Sequence, residues 1–130
     1  LMDGNAVIYC DRAFSTTNGK TAHGLVRFTN RYRVLSVIDS RHAGQDAGEV
    51  LDGTPNGIPI LASLEEAMDN ASSRLLPATH FVVGLAPDGG RLPPEALGQV
   101  SKALAVGLNV DCGLHDYLSE DPKLKEEEHA

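Results

Sequence analysis

The sequence contains no tryptophan, only three tyrosines and three phenylalanines, two cysteines and four lysines in 130 residues. Cys10 and Cys112 stand alone with no Cys-x-x-Cys spacing, which argues against both a disulfide framework and a cysteine-based zinc site. No metal site is expected. No apolar run approaches the roughly 20 residues that span a bilayer, and no signal-peptide pattern opens the chain. The formal net charge of −7 argues against non-specific binding to nucleic acid or to an anionic membrane, both of which need a positive face. A reduced, cytoplasmic setting follows as the expectation, with both cysteines acting as small core hydrophobes. No internal repeat is evident, and the Gly-x-Gly-x-x-Gly dinucleotide fingerprint is missing.

What remains has the rhythm of an α/β domain. Hydrophobic residues make up 42% of the chain and charged residues 22%, ordinary values for one globular domain with a single core. Short β-branched and apolar runs predict strands over Ala6–Cys10, Val34–Ile38, Ile58–Leu61, His80–Leu85 and Leu108–Cys112. Between them the periodicity changes. A polar loop enters a helix near Gly19 or Lys20, with Thr17 or Asn18 as a candidate N-cap. The long connection after Asp39 is punctuated by Gly44, Gly48, Gly53, Pro55, Gly57 and Pro59, and is expected to hold no continuous helix. Ser63 caps a helix whose Leu64, Ala67, Met68 and Ala71 recur at helical spacing, with Glu65 and Glu66 in its first turn. Pro93, Pro94 and Glu95 open another helix with Leu97, Val100, Leu104 and Ala105 on its apolar face, stopping at Gly107. Residues 120–130 are charged and poor in apolar side chains.

The expected fold is therefore a Rossmann-like, doubly wound parallel sheet of five strands in the order 3-2-1-4-5, with helices on both faces. The domain is expected over residues 1–122, with a charged linker or tail over 123–130. This order separates Cys10 from Cys112 by two strands, about 10 Å, too far for a disulfide.

In such a sheet, ligands bind at the carboxyl ends of the strands. The residues delivered there are Asn18, Gly19, Lys20 and Thr21 after the first strand, Asp39, Ser40 and His42 after the second, and His115 and Asp116 after the last. Lys20 offers a cation to a carboxylate or phosphate, while Thr21 and Ser40 offer hydroxyls. His115 is the candidate general base, held by Asp116. Asn18-Gly19-Lys20-Thr21 resembles the tail of a P-loop, but Phe14 stands where the first glycine is required. The segment suits an anion at a helix N-terminus or serves only as a cap. Asp39 lies where an acidic side chain meets a ribose in dinucleotide-binding folds, and also where an aspartate caps a loop. Arg41 offers a phosphate partner or a partner for Glu49, and His42 and Asp46 could join Asp39 over the edge. His80, at the opposite end of its strand, reads as structural.

Four segments together carry a family resemblance: VIYCDRAFSTTNGKTAHGLVR, VIDSRHAGQDAGEVLDGTPNGIPI, VGLAP and GLNVDCGLHDYLSEDP. Over about Ala6 to Pro122 the chain resembles the N-terminal Rossmann-like domain of the domain-of-unknown-function 1611 family, whose better-understood members resemble D-glutamate N-acetyltransferases. The resemblance implies D-amino acid metabolism, a small-molecule substrate, acetyl-CoA as acyl donor, and a companion C-terminal P-loop domain outside this chain. It implies no catalytic residue here. Gly57 to Ala67 also resembles a shorter pattern of small CoA-binding domains. Three functions stay open: substrate binding or assembly in an acetyltransferase-like protein, a nucleotide- or CoA-binding regulatory domain, and a structural or homo-oligomerising domain.

Overall fold

Alternation of short apolar runs with amphipathic segments produces a five-stranded sheet in the order β3-β2-β1-β4-β5. The strands are β1 (Gly4–Tyr9), β2 (Tyr32–Ile38), β3 (Ile60–Leu61), β4 (His80–Val83) and β5 (Asn109–Cys112). The structure, a computed structural model, describes residues 4–85 and 92–112. Every strand pairing is parallel. A parallel sheet is covered on both faces, which explains why Ala6, Val7, Ile8, Tyr9 and Cys10 are all buried despite alternating sides.

Among the described residues, four α-helices accompany the strands: α1 (Lys20–Arg27), α2 (Ala47–Asp52), α3 (Leu64–Ser73) and α4 (Pro94–Ala105). Right-handed crossovers running outward from β1 and β4 place α1 and α2 on one face and α3 and α4 on the other. Exposed ion pairs link the helices of each layer, Arg27–Asp52 at 2.6 Å and Lys102–Glu65 at 3.6 Å. The α1 layer approaches the sheet closely at Gly84, where a Cβ would lie 2.8 Å from the Ala22 side chain and 2.9 Å from that of Ile8. Gly84 O also accepts the Ala22 N–H at 3.1 Å, tying the first turn of α1 to the end of β4.

The elements depart from the sequence expectations in definable ways. A six-residue helix, α2, occupies the connection after Asp39. It begins where Asp46 accepts the Glu49 N–H and ends at Gly53, whose φ of 76° is left-handed. The expected third strand shrinks to Ile60–Leu61, because Ile58 O is taken by Ala47 N and Pro59 forms an antiparallel bridge with Asp46. β1 begins two residues earlier than Ala6, at Gly4. Before α1 the cap is Thr16, whose hydroxyl accepts the Asn18 N–H of a 3-10 turn, and α1 itself starts at Lys20, after Gly19, with no side-chain cap. A bulge shifts the β1–β2 register between Ala6 and Val7, so Leu35 is passed over. The other boundaries fall within two residues of expectation, and Ser63 caps α3 through the Glu66 N–H at 3.2 Å. β1 and β5 lie two strands apart, and Cys10 is a free, buried thiol.

Candidate functional site

The carboxyl ends of β1 and β2 are fastened by two aspartates. Asp39 is fully buried, and its Oδ1 accepts the backbone N–H groups of Arg12 and Arg41, each at 3.0 Å. Arg12 holds φ at 63°, a region that costs a side-chain-bearing residue energy, and the Asp39 bond helps keep it there. The other oxygen, Oδ2, is buried without a hydrogen-bond partner among the described residues. Asp11 Oδ1 accepts both the backbone N–H and the hydroxyl of Ser40, each at 2.7 Å. His42 bridges the loops, with Nε2 2.9 Å from Ser15 Oγ and Nδ1 2.8 Å from Gln45 Oε1. Arg41 Nη1 donates to Arg12 O at 3.3 Å.

The loops therefore bring Asp39, Ser40 and His42 together with Asp11, Arg12, Ser15 and Arg41. The start of α1 is less open than its sequence suggests. Gly19 is buried, and a Cβ there would sit 2.5 Å from Ala13 O. The Ala22 N–H is already spent on Gly84. Asn18 is held by Thr16, while Lys20 and Thr21 are exposed and Lys20 makes no ion pair with any described residue. Asp46 is not at the edge. Its carboxylate binds Glu49 N and Asn56 N at 3.0 Å and Gly57 N at 2.9 Å, and these N–H groups, Asn56 first, hold its pKa below the usual carboxylate range. His80 lies at the amino end of β4, bonded to Thr79 Oγ1 at 2.8 Å and tilted against Tyr32. His115 and Asp116 lie outside the described residues.

On the other face, a small cleft of about 80 Å³ opens at the same edge. Tyr9, Asp11, Ile38, Ala62, Ser63, Glu95 and Gln99 line it. Glu95 and Gln99 stand one turn apart on α4, so they present together. Tyr9 stacks on Phe81 with ring centroids 5.5 Å apart and is 3% exposed. Burial, then the Asp11 and Glu95 carboxylates, then Cys10, push the phenol well above its usual range. Burial pushes the Cys10 thiol up to about 12, with Asp39 and Asp11 adding to it, so the thiol stays protonated and unreactive.

Residues 40–130 match the model of a domain of unknown function, DUF1611_N, described as a Rossmann-like domain. The chain belongs to this family. The DUF1611_N domain is also similar to the crystal structure of a DUF1611 family protein from Anabaena variabilis, with 29% identity and a TM-score of 0.80. That match covers 95% of this chain and 34% of the Anabaena protein, so the chain spans about a third of its relative's length. No curated protein matches.

Sequence reasoning missed the acidic cleft in this DUF1611_N domain, because Tyr9 reads as one more apolar strand residue and Glu95 as a first-turn helix acid. The signal that could have found it is the alternation of β1: Tyr9 faces away from Ile8 and Cys10, toward the layer that α4 begins. Among the described residues, no group of three or more His, Cys, Asp or Glu is placed to hold a metal ion. No helix of the described residues is long and apolar enough to cross a membrane.

Proposed function

We propose that this DUF1611_N domain supplies substrate binding to a D-glutamate N-acetyltransferase-like protein, at the carboxyl edge of its sheet. The observation carrying this reading is the division of that edge by charge. Arg12, Lys20 and Arg41 are exposed on the loops and helix start after β1 and β2, whereas Asp11 and Glu95 line the cleft on the other face. An amino acid carries both signs and matches both halves; a polyanion matches only one. In this reading the protein is cytoplasmic, and the domain works beside a C-terminal P-loop domain that brings acetyl-CoA.

A nucleotide- or CoA-binding regulatory role draws support from exposed Lys20 at the start of α1. Full burial of Asp39 and the use of the Ala22 N–H by Gly84 weigh against it. An assembly role draws support from Phe28, Leu75 and Val106, which are 78%, 87% and 57% exposed at the C-terminal ends of α1, α3 and α4.

Thermal unfolding with D-glutamate, acetyl-CoA, CoA, NAD and ATP tests the reading, since a ligand at 100 times its Kd adds about 2.7 kcal/mol of stability. A shift with D-glutamate supports substrate binding. A shift with CoA or a nucleotide alone replaces it with the regulatory reading, and no shift with any ligand contradicts binding by this domain.

A further inference from the structure

We infer that the cleft between β1, β2 and α4 is a primary-ammonium site, with Tyr9, Asp11 and Glu95 as its recognition groups. The inference deepens the reading above by naming the group that the acidic half of the edge takes, and it can fail separately.

Acidic side chains at a surface are common, and both have other duties: Asp11 Oδ1 holds Ser40, and Glu95 complements the first turn of α4. Tyr9 is what distinguishes this place. Tyr9 is only 3% exposed, and its hydroxyl, which makes no hydrogen bond to any described residue, opens on the cleft and is not sealed in the core. A buried phenol normally finds a partner. Here it faces the cleft that Asp11 and Glu95 also line. The carboxylates accept hydrogen bonds and carry negative charge, and the phenol oxygen adds a further acceptor. Gln99 and Ser63 supply more oxygens, while Ile38 and Ala62 give an apolar floor. This donor-seeking set suits an R–NH3⁺ group, whose N–H donors are short and charged.

Size and charge narrow the ligand. At about 80 Å³ the cleft is far smaller than the roughly 300–1,000 Å³ of sites that enclose a drug-sized molecule, so it takes a head group. Phosphates and carboxylates are repelled by Asp11 and Glu95. Among the described residues no group of three or more His, Cys, Asp or Glu stands here to hold a divalent ion.

The test is a titration of the ¹⁵N-labelled chain with 1,4-diaminobutane at about 0.15 M ionic strength, where exposed charges are screened beyond about 8 Å. 1,4-Butanediol and succinate serve as neutral and anionic matches, and Mg²⁺ is titrated separately. The expected result is saturable shifts at residues 9–11, 62–63 and 95–99 with the diamine only. Glu95→Gln weakens binding about tenfold, from loss of the carboxylate charge, and Tyr9→Phe about threefold, from loss of one hydrogen bond. Glu49→Gln, on α2, leaves it unchanged. Non-saturating shifts spread over the acidic surface, equal binding by Glu95→Gln, or tighter binding of Mg²⁺ at the same amides would each overturn the inference. Diamine binding without D-glutamate binding would keep the ammonium site and refute the acetyltransferase reading. D-Glutamate binding indifferent to Tyr9→Phe and Glu95→Gln would do the reverse.

Discussion

Asp11 and Ser40 join the first two strands just past their carboxyl ends: one carboxylate oxygen takes both the backbone N–H and the hydroxyl of Ser40, each at 2.7 Å. The same aspartate lines the cleft on the far face. One residue thus contributes both to the geometry of the edge and to its charge.

Asp39 is the buried counterpart of that joint. Replacing it with alanine strands the N–H groups of Arg12 and Arg41, and an unsatisfied buried donor costs about 1–3 kcal/mol. Asp39→Ala should lower stability in urea by about 2–4 kcal/mol, from two part-buried bonds. Asp39→Asn keeps an acceptor oxygen and should cost less. Equal stability of Asp39→Ala and the parent would show that the edge loops do not depend on this cap.

Two glycines should respond in opposite directions. At Gly84 a Cβ would meet Ala22 at 2.8 Å and Ile8 at 2.9 Å, so Gly84→Ala must push α1 off the sheet, at about 1–3 kcal/mol. At Gly98, inside α4, a Cβ meets nothing within 4 Å, and Gly98→Ala should stabilise by about 0.5–1 kcal/mol through the unfolded chain. Paired melting curves check both. A stabilising Gly84→Ala would mean that α1 packs more loosely than described.

Acid should loosen the connection between β2 and β3 only below the ordinary carboxylate range. The Asp46 carboxyl is held below its usual range by backbone N–H groups, so its folded pKa is lower than its unfolded one. Such a group contributes fully above the unfolded value, and the contribution is lost as the pH falls through the folded value, below about 4. Asp46→Ala should flatten the decline of stability between about pH 5 and 2. An acid limb unchanged by the substitution would place the titrating groups elsewhere.

Much of this fold is legible in the sequence because its strands are apolar on both sides. Val7-Ile8-Tyr9 and Val34-Leu35-Ser36-Val37-Ile38 stand out against polar loops, and Ser63 and Pro94 mark helix starts by known chemistry. α2 was hidden by its glycines. Gly48 in its interior reads as a breaker, but its Cβ position is filled by Thr54 O and the Asn56 side chain, so tertiary packing overrides helix propensity there. The site was legible by half. A parallel sheet puts Asp39, Ser40 and His42 at one edge whatever their partners, whereas the meeting of Tyr9 with Glu95 depends on how α4 returns across the other face. No local pattern encodes that.

The most direct test is to map D-glutamate on the ¹⁵N-labelled chain by amide chemical shifts. The account predicts saturable changes confined to the carboxyl edge, at residues 9–12, 39–42, 62–63 and 95–99. Changes gathered instead around Phe28, Leu75 and Val106, or no change at any concentration, would contradict it.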